Sequence, residues 1–455
     1  MENLSISEVV GAVNGVLLNC SENFEINGIS TDSRKINKGD LFVALVGAHF
    51  DGHDFVEKAI EGGASAVVVS HEVDCKCPQV LVEDTLTALK NIAKYYRKKF
   101  HIPVVGVTGS TGKTSTKEMI ASVLKQKYNV HKTQKNFNNE IGLPLTVFEL
   151  NKDHEISVLE MGMNNFGEIQ RLADIARPTI AVITNIGTAH IENLGSREGI
   201  LKAKMEITTY FDENCTLIVN GDDEYLSTIG NKHYKIIKTS IKDNGDYNAK
   251  DIVNLGEEGV QFKCMYRGEE HIFNINVPGI HNVYNALAAI AIGDIFNMNV
   301  DQLKNGIYKF TPGNLRMNII NIDNNIKIIE DCYNANLESM KAAIDVLESF
   351  NQGRRIAVLG DMFELGDFSE EAHRQVGQYL IGKCDMVITV GDQSKYIFDE
   401  CNSHFEAKHF ITKEEACLYL KNEIVTNDVI LIKASRGMKM EYITACLIKD
   451  RKRGN

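Results

Sequence analysis

Three α/β units in series, each on a mostly parallel sheet, are what this sequence predicts. Three observations carry that reading. Short runs rich in Val, Ile and Leu recur at 41–46, 66–69, 80–82, 104–108, 156–160, 180–187, 355–360, 386–391 and 429–433. Helical periodicity lies between most of them, the pattern of strands that helices cover on both faces. The run ending at Thr108 passes through a glycine-rich turn into a helical pattern, which is the order a phosphate-binding loop needs. A length of 455 residues suits about three domains. The expected units are a small N-terminal α/β domain at 1–100, a central phosphate-loop domain at 101–313 and a Rossmann-like doubly wound domain at 314–455. The last boundary follows Thr311-Pro312-Gly313, a linker-like break.

In the first unit, helical periodicity at 54–60 and 86–96 follows the strand runs. Ser30-Thr31-Asp32-Ser33-Arg34-Lys35 reads either as a capped turn or as a loop that grips a polar ligand through a guanidinium fork. His49-Phe50-Asp51-Gly52-His53-Asp54 resembles a metal cluster at first sight. Gly52 argues against one helix face presenting both histidines, so a loop and a helix N-cap are expected there.

The central unit opens with Val107-Thr108-Gly109-Ser110-Thr111-Gly112-Lys113-Thr114-Ser115. The two glycines let backbone N–H groups turn inward onto phosphate oxygens, and the following helix N-terminus adds partial positive charge. Lys113 is placed to reach the β- and γ-phosphates, and the Thr114 hydroxyl to take a position on Mg²⁺. The spacing is a shorter relative of G-x-x-x-x-G-K-[ST], because Val107 stands in the place of the first glycine. The next strand run ends in Glu160, and the one after it leads to His190. Ligands of open α/β sheets sit beyond the carboxyl ends of the strands, so Thr114, Glu160 and His190 are expected at one edge, able to hold a divalent metal. Asn136-Phe137-Asn138-Asn139-Glu140-Ile141-Gly142 can grip a peptide-like ligand or cap the next helix. Lys204, on a helical stretch at 199–206, reads as a surface lysine or, beside metal, as a carbamate. Alternating runs at 232–276 predict an antiparallel hairpin insertion around Gly268. After Pro278-Gly279 an Ala-rich helix carries Asn282 and Asn285 on one face, where amides can read a base edge.

The third unit lacks a glycine-rich phosphate loop but carries Arg316, Asp331, Asn334, Asn336, Ser435 and Arg436 near its start and its strand ends. Charged and amide groups without a nucleotide loop suggest a lid over the central site. The basic tail, Lys449 to Arg453, reads as a solvated end.

Composition narrows the partners. A net charge of −12 disfavours nucleic acid, which needs a basic stripe. The ten cysteines are scattered, with Cys75 and Cys77 the one close pair, so reduced thiols are expected rather than zinc or disulfides. No apolar run approaches the ~18 residues of a membrane span, and the first residues carry no signal-peptide pattern. A soluble, cytoplasmic protein is the expectation.

Taken together, Thr31-Asp32-Ser33-Arg34, the 108–114 loop, the 136–144 segment, His190, His281-Asn282 and Asp331-Cys332-Tyr333-Asn334-Ala335-Asn336 resemble the Mur ligases of peptidoglycan synthesis, in order and over essentially the whole chain. Asn136 to Gly142, Tyr333 to Asn336 and Gly360-Asp361-Met362-Phe363-Glu364-Leu365-Gly366 point to the dipeptide-adding members. The resemblance implies an ADP-forming ligase that joins D-alanyl-D-alanine to UDP-N-acetylmuramoyl-tripeptide through an acyl phosphate, acting as a monomer with ATP and Mg²⁺. It implies that Gly109, Ser110, Thr111, Gly112, Lys113, Thr114 and Ser115 hold ATP phosphates, with Arg316. It further implies Asn282 and Asn285 at adenine, Asp331 at ribose, and Glu160 and His190 as metal ligands beside Thr114. Lys204 matches a lysine that several members carbamylate, and with Lys113, Glu160 and His190 completes the implied catalytic set. Asp32, Ser33 and Arg34 fall in the domain that holds the UDP end, and Asn138, Asn139, Asn334, Asn336, Ser435 and Arg436 in the peptide and dipeptide pockets. Cys332 departs from the small hydroxyl residue common at its position. A folate polyglutamate-adding enzyme fits the N-terminal Asp32-Ser33-Arg34 less well. The tripeptide-making sister is disfavoured because its D-N-x-R segment is missing from the third unit. A nucleotide switch or kinase would leave that unit unexplained.

Overall fold

The computed structural model describes residues 1–322 and 325–451. Lys452 and Arg453 of the expected solvated tail lie outside the described residues.

The N-terminal sheet runs Val16–Leu18, Gln79–Leu81, Ala66–Val69, Asp40–Val43, Gly28–Ser30, parallel except for its first pair. Helix Thr85–Lys98 begins at Asp84, whose side chain accepts from the Thr87 N–H at 2.7 Å, and buries Ala88, Leu89, Ile92, Ala93 and Tyr96 at helical spacing. That face does not stay within its own unit. Tyr96 donates to the Leu150 carbonyl (2.6 Å) and Arg97 to the Ala176 carbonyl (3.2 Å), so one apolar core continues from the first unit into the second.

The central sheet has nine strands, and its inner strands are buried along their whole length. Val104–Thr108 lies between Ile156–Glu160 and Ile180–Ile183, parallel to both, so their carboxyl ends come out side by side. Helices Lys113–Leu124 and His281–Ile295 cover one face. The hairpin Val260–Tyr266 and Glu269–Ile275 is antiparallel, as its alternation predicts. It is not a separate insertion. Parallel strands Thr216–Asn220, Lys235–Ser240 and Tyr247–Asn254 lead out to it, and it extends the main sheet.

The C-terminal sheet is ordered Asn318–Ile322, Ile326–Asp331, Val429–Lys433, Arg355–Gly360, Met386–Val390, Glu406–Phe410. Only its first pair is antiparallel, and apolar cores lie on both faces. No helix among the described residues is long and apolar enough to cross a membrane.

Candidate active site

The loop after Val104–Thr108 is shaped by two glycines. Gly109 sits at φ +153°, where an added Cβ would fall 1.8 Å from Thr184 Oγ1; Gly112 at φ +78° turns the chain into helix Lys113–Leu124. No side chain caps that helix, which leaves its first N–H groups for an anion. The segment after the neighbouring strand Ile180–Ile183 braces the loop: Asn185 Oδ1 accepts from the Thr111 N–H (2.9 Å) and Ser110 Oγ from the Gly187 N–H (2.9 Å). Lys113 Nζ folds back onto the Gly109 carbonyl at 2.8 Å. Burial draws its pKa down, opposed by Glu160 and Glu364 and reinforced by Arg316. A polyanion would relieve that cost.

Glu160 ends the adjacent strand, 2% exposed. Its carboxylate accepts from Thr114 Oγ1 (2.9 Å) and from Asn138 Nδ2 (2.8 Å). Among the described residues no three His, Cys, Asp or Glu side chains gather as a self-sufficient metal site. A hydroxyl beside one buried carboxylate is a donor pair that would suit Mg²⁺, a cation that keeps water and takes phosphate oxygens rather than an all-protein cage. His190, at φ +64°, turns its Nδ1 to within 2.7 Å of Glu364 Oε2, without hydrogen-bond alignment. Lys204 is 1% exposed, and burial together with the charge of Lys113 puts its pKa well below that of an ordinary lysine.

The C-terminal unit forms the opposite wall of a cleft of about 480 Å³. Arg316 stacks over the Tyr333 ring at 4.1 Å. Lys433, itself buried, reaches Asp331 Oδ2 at 2.5 Å and the Asn334 carbonyl at 2.9 Å. Two glutamates of this unit meet the loop that carries His190: Glu364 as above, and Glu338, which accepts from Thr188 Oγ1 at 3.1 Å.

Of the residues expected at the site, Ser110, Thr111, Gly112, Lys113, Ser115, Asn138, Asn139, Glu160, His190, Asn285, Arg316, Asp331, Asn334 and Asn336 line this one cleft. Thr114 touches it through Glu160. Others stand elsewhere. Asn282 lies behind Asn285, donating to the Pro278 carbonyl (2.9 Å) and accepting from Asn285 (3.0 Å), so its amide serves helix packing. Ser435 is buried against the Phe363 N–H at 2.8 Å, and Arg436 points to Glu441 at 2.7 Å; neither lines the cleft. Asp32 caps the turn Ser33–Lys35 and holds Arg34 by two hydrogen bonds of 2.8 and 2.9 Å, apart from the cleft. Asp51 likewise caps the next turn, accepting from the His53 N–H at 2.9 Å.

Comparison with known proteins agrees with this arrangement. Profiles of the Mur ligase family match residues 25–115 (catalytic domain), 107–293 (middle domain) and 315–436 (glutamate ligase domain). The UDP-N-acetylmuramoyl-tripeptide--D-alanyl-D-alanine ligase of Bacillus subtilis is 42% identical over 98% of each chain. The chain is a Mur ligase. The Escherichia coli enzyme of the same name is 36% identical, covering 98% of this chain and 99% of its own. Among solved structures, MurF from Acinetobacter baumannii superposes with a TM-score of 0.93 at 32% identity over 99% of both chains. MurF ligase from Thermotoga maritima in complex with ADP gives 0.84 at 30% identity, covering 94% of this chain and 98% of that one.

Within this Mur ligase, sequence reasoning missed Glu338, Glu364 and Tyr333 as individual wall or contact residues. Glu364 lies in the Gly360 to Gly366 segment, but its φ of +64°, which aims it across the domain gap, has no sequence signal. Glu338 reads as an ordinary first-turn acid of helix Leu337–Glu348.

Proposed function

We infer that this Mur ligase joins D-alanyl-D-alanine to the terminal carboxylate of UDP-N-acetylmuramoyl-tripeptide with cleavage of ATP. One observation carries the reading: a phosphate loop with a half-buried lysine faces, across a single cleft, a wall of amides and a guanidinium supplied by another unit. The names borne by the relatives above agree with it.

Residues 101–313 hold the nucleotide, 1–100 the UDP end through Asp32, Ser33 and Arg34, and 314–455 closes the cleft. The tripeptide carboxylate attacks the γ-phosphorus of ATP and ADP departs; the amine of the dipeptide then displaces phosphate from the acyl carbon. Two anions must meet for the first step. Lys113, the open N–H groups of the loop and Arg316 offset their repulsion, as positioned charge rather than covalent chemistry by the protein. Mg²⁺, held by Thr114, Glu160 and His190, would neutralise phosphate charge. Asn285 faces the base and Asp331 the ribose, while Asn138, Asn139, Asn334 and Asn336 orient the peptides; Asn282, bonded to Asn285, and Ser435, bonded to the Ala335 carbonyl, support that wall from behind. Closure by Glu338 and Glu364 excludes the water that would hydrolyse the acyl phosphate. Burial that lowers the pKa of Lys204 favours the neutral amine, the form that CO₂ attacks, so Lys204 fits carbamylation. The cleft is complete within one chain, consistent with a cytoplasmic monomer.

Phosphate release measured with each substrate omitted in turn tests this. It should require the muramoyl tripeptide and D-alanyl-D-alanine together, and Lys113→Ala should abolish it while the variant still unfolds in one cooperative transition. Release at full rate without the dipeptide, or from the variant, contradicts the reading.

A further inference from the structure

Behind the phosphate loop lies a buried charge that the chemistry above does not use. Lys117 is 1% exposed and sits one turn after Thr114 on helix Lys113–Leu124. Burying an ammonium is costly unless it is well paired, and an apolar side chain would fill the space more cheaply. Its partners explain its presence. Lys117 Nζ meets Glu118 Oε1 at 2.8 Å, and Glu118 is shared with Lys132. Its other bond, 2.7 Å long, goes to the carbonyl of Thr133.

Thr133 follows strand Val130–Lys132 and is fully buried. Its N–H donates to the Val158 carbonyl at 3.1 Å, and its hydroxyl accepts from the N–H of Glu160 at 2.9 Å. Glu160 in turn receives Thr114 Oγ1 at 2.9 Å. The bonds therefore close a ring: Thr114 to Glu160, Glu160 to Thr133, Thr133 to Lys117, and Lys117 back along one helical turn to Thr114. Two strand ends and the loop helix are locked in one register. A charge-assisted bond supplies the link that holds Thr133, whose carbonyl lies beyond the last paired residue of its strand.

We propose that Lys117 and Thr133 are positioning residues that fix the Glu160 carboxylate against the Thr114 hydroxyl and so set the affinity of this site for Mg²⁺. The inference rests on the reading of Glu160 and Thr114 as the Mg²⁺ donors. Partners that orient a metal ligand without touching the metal contribute ten- to hundredfold to metal affinity. Lys117 and Thr133 act in series on one carboxylate, so their losses should not multiply.

Calorimetric titration of the full chain with AMP-PNP, with and without Mg²⁺, needs no turnover. In the wild type Mg²⁺ should tighten nucleotide binding. Thr133→Val and Lys117→Met should each lose about ten- to hundredfold of that tightening while Mg²⁺-free binding stays unchanged. Thr133→Ser, which keeps the hydroxyl, should behave as wild type, and the double variant should lose no more than the worse single one. Should Thr133→Val fail to fold, Lys117→Met gives the same readout. A folded variant with the full Mg²⁺ effect overturns the proposal, as does equal weakening with and without Mg²⁺, which a merely structural role would produce. A wild type that shows no Mg²⁺ effect removes the metal reading itself, and the inference with it.

Discussion

Replacing Lys204 by methionine should make the protein more stable and inactive at once. The side chain is 1% exposed, and among the described residues no carboxylate offsets the cost of its burial, to which the charge of Lys113 adds. In the unfolded chain the amine titrates near 10.5; in the folded chain it does so well below that value. Below pH 10.5 the unfolded state therefore binds the proton more readily, and folding loses about 1.4 kcal/mol for each pH unit down to the folded-state pKa. Methionine has similar length and no charge. Exchanging a buried ionic group for an apolar one of like volume stabilises by about 1–4 kcal/mol, and each kcal/mol raises the melting temperature of a domain of 150–250 residues by roughly 2–4 °C. Thermal unfolding in CO₂-depleted buffer should show Lys204→Met melting above the wild type at pH 7, by a margin that narrows as pH approaches 10.5. Bicarbonate should raise the wild type and not the variant, since a carbamate exchanges the unpaired amine for an anion that Lys113 attracts. A variant that melts below the wild type at pH 7 without bicarbonate would refute this account of the lysine.

Two further predictions concern the scaffold. His131 is buried, joined to Ser157 Oγ at 2.8 Å and to the Thr146 carbonyl at 2.9 Å, and burial lowers its pKa to about 4. Its contribution is complete above pH 6.5 and is lost as pH falls through 4, worth at most about 3 kcal/mol; the urea-stability advantage of wild type over His131→Asn should shrink by roughly 2 kcal/mol between pH 7 and pH 4.5. Asp428 is fully buried and takes both arms of Arg354, at 3.0 and 2.8 Å, while the guanidinium stays 37% exposed. Asp428→Asn should cost about 3 kcal/mol, the low end for breaking a buried pair, and leave kcat/KM unchanged because the pair lies away from the cleft.

The fold class was legible because strands covered on both faces must be apolar throughout. The runs at Ile156–Glu160, Arg355–Gly360 and Val429–Lys433 therefore stand out, and the phosphate loop carries its own spacing. Short or mixed strands were not legible: Val130–Lys132 and Lys235–Ser240 pair by position in the sheet, not by composition. The continuation of the N-terminal core through Tyr96 and Arg97 into the central unit also depends on contacts far apart in sequence. At the site, residue types at strand ends pointed to Lys113, Glu160 and His190. What periodicity does not encode is which polar groups are already used. Asn282 and Asn285 share a helix face, yet only Asn285 reaches the cleft, because Asn282 is held by Pro278. Lys117 reads as any helix-surface lysine until Thr133, just past strand Val130–Lys132, takes its bond.

The central claim is that an acid is activated at this cleft by phosphoryl transfer before an amine takes it. The most direct test uses muramoyl tripeptide carrying ¹⁸O in both oxygens of its terminal carboxylate, with mass analysis of the inorganic phosphate and of the peptide formed. Attack of the carboxylate on the γ-phosphorus requires one labelled oxygen in every phosphate released and one retained in the new amide carbonyl. Phosphate that emerges without label would show that the carboxylate never joins phosphorus.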